Sequence, residues 1–153
     1  MSFKEDLAKW EKMEQIVIEK LKDTFPWLHK NKNKKWVDLV YVAWIEVKFD
    51  EYIIHSWNVF IEVASNWNPS WIFKIEDYKV EYWAHSDGNN IYIYNKDKLE
   101  NYVFDKIIEC RKNKSLTSCW HRYILSAWDW WRTSWLLIPL NVFAENADKI
   151  INL

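Results

Sequence analysis

Apolar residues at the start of the chain recur at helical steps. Phe3, Leu7, Trp10, Val17 and Leu21 fall on one stripe, which predicts a helix over 3–24 with Ser2 as N-cap and Phe25-Pro26 as its stop. Glu14 lies on the same stripe, where a carboxylate is costly unless a partner meets it. Residues 28–35 are a polar, basic loop. The period then shortens: 37–42 and 45–49 are β-rich runs with a very short connection, the pattern of a hairpin, and 58–63 is a third such strand. Residues 66–71 read as a turn and 73–77 as a short helix. Runs 79–84 and 90–94 flank Ser86-Asp87-Gly88-Asn89 as a second hairpin. Leu99, Val103, Ile107 and Cys110 mark one face of a helix over 96–112. Late strands follow at 122–126 and 136–140, and a closing helix at 142–151. This order predicts an α/β fold with a mixed sheet. No repeat, linker or low-complexity tract divides residues 1–153, which predicts one domain.

Composition narrows the class. With 50% hydrophobic and 28% charged residues the chain is neither disordered nor fibrous. No apolar run is long enough to span a membrane and the N-terminus lacks a signal peptide's apolar stretch, so the expected location is cytoplasmic. Cys110 and Cys119 have no CxxC spacing, and the four histidines have no HxH or HExxH spacing, so neither set predicts a zinc site. A net charge of −1 argues against a generally basic coat, though not against a local basic groove.

The glycine count is anomalous. The chain has 13 Trp and one Gly, Gly88, where average usage predicts roughly 11 glycines. Trp stands in turn-like contexts, as in Asn66-Trp67-Asn68-Pro69-Ser70-Trp71, Ala127-Trp128-Asp129-Trp130-Trp131 and Ser56-Trp57-Asn58, where glycine is the usual means of reaching positive φ. In some bacteria and their phages UGA is read as glycine, whereas another code reads it as tryptophan. A gene of the first kind translated by the second code would give this pattern. Glycine is expected at positions 10, 27, 36, 44, 57, 67, 71, 120, 128, 130 and 135, and authentic tryptophan at Trp83 and Trp131.

The candidate chemistry lies on the first hairpin. Glu46 and Lys48 are two apart on a strand, so they leave one face while Ile45, Val47 and Phe49 leave the other. A two-residue connection at 43–44 would set Asp38 opposite Phe49, facing away from Glu46. A three-residue connection, with residue 44 left-handed, would set Asp38 opposite Lys48 on the shared face. Asp38 and Glu46 are hard oxygen ligands suited to Mg²⁺, and Lys48 could hold or deprotonate a water and offset phosphate charge. Glu62 shares a strand face with Asn58 and Phe60 and is a further metal or water ligand, with Glu14 a supporting carboxylate from the helix. Lys30, Lys32, Lys34 and Lys35 could contact a phosphate backbone, as could Ser70 and Lys74.

Asp38…Glu46-x-Lys48 after a helix carrying Glu14 resembles the PD-(D/E)xK nuclease superfamily, with Val37 in place of the motif's proline. Ser56-Trp57-Asn58 through Glu62, followed by Asn68-Pro69-Ser70-Trp71-Ile72, resembles small phage and bacterial nucleases in which a GN…E…GPSGI block follows the ExK strand. That match is close when positions 57, 67 and 71 are read as glycine, and it covers residues 3–100. The resemblance implies a restriction-endonuclease-like αβββαβ core, a central mixed sheet flanked by helices. It implies a Mg²⁺-dependent endonuclease cleaving DNA, with Mn²⁺ able to substitute, structure-selective in the manner of Holliday-junction resolvases. Asp38, Glu46, Lys48, Glu62 and Glu14 would be catalytic, with Asp38, Glu46 and Glu62 on the metal and Lys35, Ser70 and Lys74 on the substrate. DNA is the implied partner, and a homodimer is left open. The competing class is a non-enzymatic, Trp-rich module stacking on single-stranded nucleic acid or sugar.

The glycine expectation has a direct check. The gene should carry UGA at the eleven named positions, and UGG codons there would overturn it.

Overall fold

A computed structural model describes residues 3–25, 28–30, 39–40, 44–65, 68–73, 80–112, 117–118, 121–125 and 133–153. In chain order the elements are α1 (Phe3–Leu21), β1 (His29–Lys30), β2 (Leu39–Val40), β3 (Trp44–Phe49), α2 (Ile53–Ser56), β4 (Asn58–Ser65) and β5 (Asn68–Pro69). A 3-10 turn (Trp71–Phe73) precedes β6 (Val80–Ser86), β7 (Asn90–Asn95), α3 (Lys96–Lys112), β8 (Thr117–Ser118), β9 (His121–Leu125), β10 (Ser134–Pro139), α4 (Leu140–Asn146) and β11 (Lys149–Asn152). The chain divides into two units. One comprises Met1–Glu51, Tyr78–Asn95 and Ala147–Leu153, the other Tyr52–Asp77 and Lys96–Asn146.

In the first unit a six-stranded sheet runs β1-β2-β3-β6-β7-β11. Its β3–β6 pair is parallel and its other pairs antiparallel, so the sheet is mixed. The α/β class with a mixed sheet and flanking helices is therefore what the chain has. Ile45 and Val47 of β3, Ala84 of β6 and Ile91 and Ile93 of β7 form one core with Met13, Val17 and Leu21 of α1. The helix's buried stripe is Met13-Val17-Leu21, at four-residue steps, while Leu7 and Trp10 are exposed. Over the first turns the buried stripe therefore runs through Met13 and not through Leu7 and Trp10.

The second hairpin forms as expected. Its turn is held by Asp87, whose Oδ1 accepts from the backbone N–H of Asn89 at 2.8 Å and of Asn90 at 2.7 Å. Gly88 takes φ 92°, the use for which glycine is suited. The expected closing helix over 142–151 is a correction. α4 ends at Asn146, and Lys149–Asn152 is instead a strand paired antiparallel with β7. Ile150 and Ile151 are β-branched and suit a ladder better than a helix.

In the second unit a five-stranded sheet runs β5-β4-β10-β9-β8. Val59 and Ile61 alternate along β4 as buried residues, and on β10 the consecutive Leu136, Leu137 and Ile138 are all buried. The face of α3 that carries Leu99, Val103, Ile107 and Cys110 is buried, as its spacing predicts, and α3 packs against β8 and β9. The third predicted strand, β4, pairs with β5 and β10 and not with the strand carrying Glu46. The helical turn found near 73–77 is Trp71–Phe73, and 74–77 lie outside the described residues. Among the described residues no helix is long and apolar enough to cross a membrane.

Backbone conformation separates the tryptophans. Trp57, the C-cap of α2, is left-handed at φ 55° and ψ 22°. It is the one described non-glycine residue at positive φ, so Trp10, Trp44, Trp71 and Trp135 do not share that need. Trp44 in particular, expected left-handed if the connection had three residues, is a ladder residue paired with Val40 and Val80. Since the Trp57 side chain is 69% exposed, it forfeits little packing on removal. Trp57→Gly should raise stability by about 1 kcal/mol through relief of the left-handed strain, read as a higher urea midpoint. An unchanged or lower midpoint would contradict this.

Candidate functional site

β3 alternates as its sequence dictates. Ile45 and Val47 enter the core, and Glu46 and Lys48 leave the opposite face together. Lys48 Nζ lies 2.5 Å from Glu46 Oε1. Glu46 is 5% exposed, so its charge has lost most of its water. A buried carboxylate of this kind is tolerated when a cation meets it directly. The Lys48 ammonium also lies 5.7 Å from the ring centroids of Trp10 and Trp83. It therefore stands between a carboxylate and two indoles.

The parallel partner strand completes the surroundings. Glu46 is in register with Trp83, and Lys48 with His85. On the next strand Tyr94 pairs with Trp83 and Tyr92 with His85. His85 is buried, and its pKa is held down to about 3, first by burial and then by the Lys48 charge, with Asp87 opposing. The imidazole is thus neutral at physiological pH. Tyr92 donates to Asp87 Oδ2 at 2.7 Å. Its phenol is pushed above its ordinary range, first by burial and then by that hydrogen bond and the Asp87 charge. The Trp83 Nε1–H is buried and finds no acceptor among the described residues.

The other expected site residues are distributed as follows. Glu14 is partly buried on α1 and pairs with Lys30 at 2.9 Å, which supplies the partner its place near the stripe demanded. Glu62 lies on β4 of the second unit, opposite Trp135. Ser70, in the same unit, is buried; its hydroxyl donates to the Glu62 carbonyl and its N–H to the Val63 carbonyl at 3.0 Å. Ser70 thereby closes the β4–β5 connection. Asp38, Lys35 and Lys74 lie outside the described residues. Among the described residues no three His, Cys, Asp or Glu side chains converge as metal ligands.

Sequence spacing missed His85 and Trp83 as neighbours of the pair. Both follow from the parallel β3–β6 register, which no local pattern announces, because the chain passes through the second unit between these strands. No protein-family model matches the chain, and neither a curated protein nor a solved structure matches it.

His85 makes the fold pH-sensitive in a defined direction. Its folded pKa, about 3, is below the ordinary 6.5, so between these values the unfolded chain binds more protons. Stability from this residue is fully present above pH 6.5 and is lost as pH falls toward 3. The steepest contribution is about 1.4 kcal/mol per pH unit, the limit for one proton. Urea unfolding from pH 7 to pH 4 should show this slope, and His85→Gln should flatten it. An equal slope in that variant would remove His85 as the cause.

Proposed function

We propose that the chain is a cytoplasmic, Mg²⁺-dependent nuclease of the PD-(D/E)xK kind that cleaves DNA phosphodiester bonds endonucleolytically. The observation that carries this is the Glu46–Lys48 pair, an acid and a base 2.5 Å apart on a strand whose Ile45 and Val47 build the core. Leu39 pairs with Ile45 and Val40 with Trp44, so β2 flanks the start of the strand that carries the pair.

The donor chemistry fits Mg²⁺, which takes one or two carboxylates and completes its shell with water and substrate phosphate. Asp38 and Glu46 would hold the ion. When bound, the ion would supply charge neutralisation at the scissile phosphate and acidify water. Lys48 has the protein's own part in the chemistry. One N–H of its ammonium is directed to Glu46, and its partly exposed head can offset charge on the phosphorus or orient the attacking water. Lys35 and Lys74 would contact the DNA backbone, and a homodimer would present two such sites to a branched substrate.

The test is cleavage of supercoiled plasmid and of a four-way junction, with and without Mg²⁺ or Mn²⁺. Cleavage should require the ion and stop with a chelator. Lys48→Ala and Asp38→Asn should each lower the rate by about a hundredfold or more, with the circular dichroism spectrum of Asp38→Asn unchanged and Lys48→Arg, which keeps the charge beside Glu46, folded but slowed. Wild-type turnover by either variant would remove that residue from the mechanism.

A further inference from the structure

We infer that Trp10 and Trp83 are positioning residues for Lys48, forming an aromatic cage that holds its ammonium against Glu46; its catalytic use rests on the nuclease reading above. The two rings come from different elements, α1 and β6, and both centroids lie 5.7 Å from Lys48 Nζ. The Glu46 carboxylate supplies a third wall at 2.5 Å. Indole faces attract an ammonium within about 6 Å through the ring quadrupole. A lysine on an exposed strand would sample many rotamers of its four-carbon stem. Three walls remove that freedom, while the 26% exposure of the Lys48 side chain leaves the head an open side.

The walls differ in mobility. Trp83 is 5% exposed and in parallel register with Glu46, so carboxylate and ring are fixed by one ladder. Trp10 is 38% exposed on α1, and its ring is the wall that solvent can reach. Its backbone is helical and makes no demand for glycine. The cage requires tryptophan at position 10, against the glycine that composition predicts there, and a glycine codon at that position would leave it one aromatic wall. Positioning of this kind acts on the rate of the step that Lys48 serves, more than on substrate affinity.

Because Trp83 is built into the sheet, Trp10 carries the test. In protein labelled with ¹³C-lysine, the Lys48 ε-methylene signal, assigned with Lys48→Arg, should be displaced upfield by ring currents. Trp10→Ala should move it back toward the free-lysine position, and Trp10→Phe should retain most of the displacement. An unmoved signal in Trp10→Ala overturns the cage. In cleavage assays Trp10→Ala should lower kcat about fivefold at unchanged KM, with Trp10→Phe restoring it. Wild-type kcat in Trp10→Ala overturns the positioning role while leaving the nuclease reading intact. No cleavage by the wild type overturns that reading and the catalytic use of the cage together, and the lysine signal then reports the contact alone.

Discussion

A carboxylate that has lost its water must be met by a charge, and Glu46 imposes that condition on everything around it. The strand that carries it is fixed by Ile45 and Val47, which are committed to the core with α1. Strand alternation then leaves Glu46 no choice of face. Lys48, two residues on, is the nearest cation with the same direction, and the 2.5 Å contact is the outcome. The parallel neighbour β6 must accept this pair beside it. It does so with an indole at Trp83 and a neutral imidazole at His85, neither of which adds a competing charge.

The legible parts of the sequence were those with a complete local signal. The helix over Lys96–Lys112 was readable because four apolar residues repeat on one face and all four are buried. The hairpin around Gly88 was readable from its turn residues, and Asp87 holds that turn by accepting two backbone N–H groups. The Glu46–Lys48 geometry was readable from period alone. Failures came where partners are distant. The pairing of β11 with β7 and the parallel pairing of β3 with β6 join segments far apart in the chain. The β-branching of Ile150 and Ile151 favours a strand, but two residues are too short a signal to announce the pairing with β7. The position of Glu14 predicted a partner without naming it, since Lys30 lies in β1, a strand of two residues too short to carry a periodic signal.

The glycine shortage becomes a question of individual sites. A scarcity of glycine matters physically where the backbone must turn left-handed, and among the described residues outside glycine this occurs at Trp57. There the indole is exposed and a helix ends, a common place for glycine. At Trp10 the helical backbone is served well by a side chain, and Gly would cost about 1 kcal/mol relative to Ala. Trp83 is buried within β6. Composition counted these positions together, whereas φ and burial distinguish them.

Folding alone gives little reason for an acid–base pair at 46 and 48. Apolar residues of similar volume on that face would avoid the desolvation cost, and exchanges of this kind in other proteins are often neutral or stabilising. Yet the surroundings favour retention of both charges. The indoles of Trp10 and Trp83 face the ammonium, and His85 stays neutral beside it. A site that spends stability to keep a lysine and a carboxylate in contact, with the lysine head reachable from solvent, has the character of a chemical centre more than of a packing solution. That asymmetry between what folding needs and what β3 carries is the physical ground for the nuclease proposal.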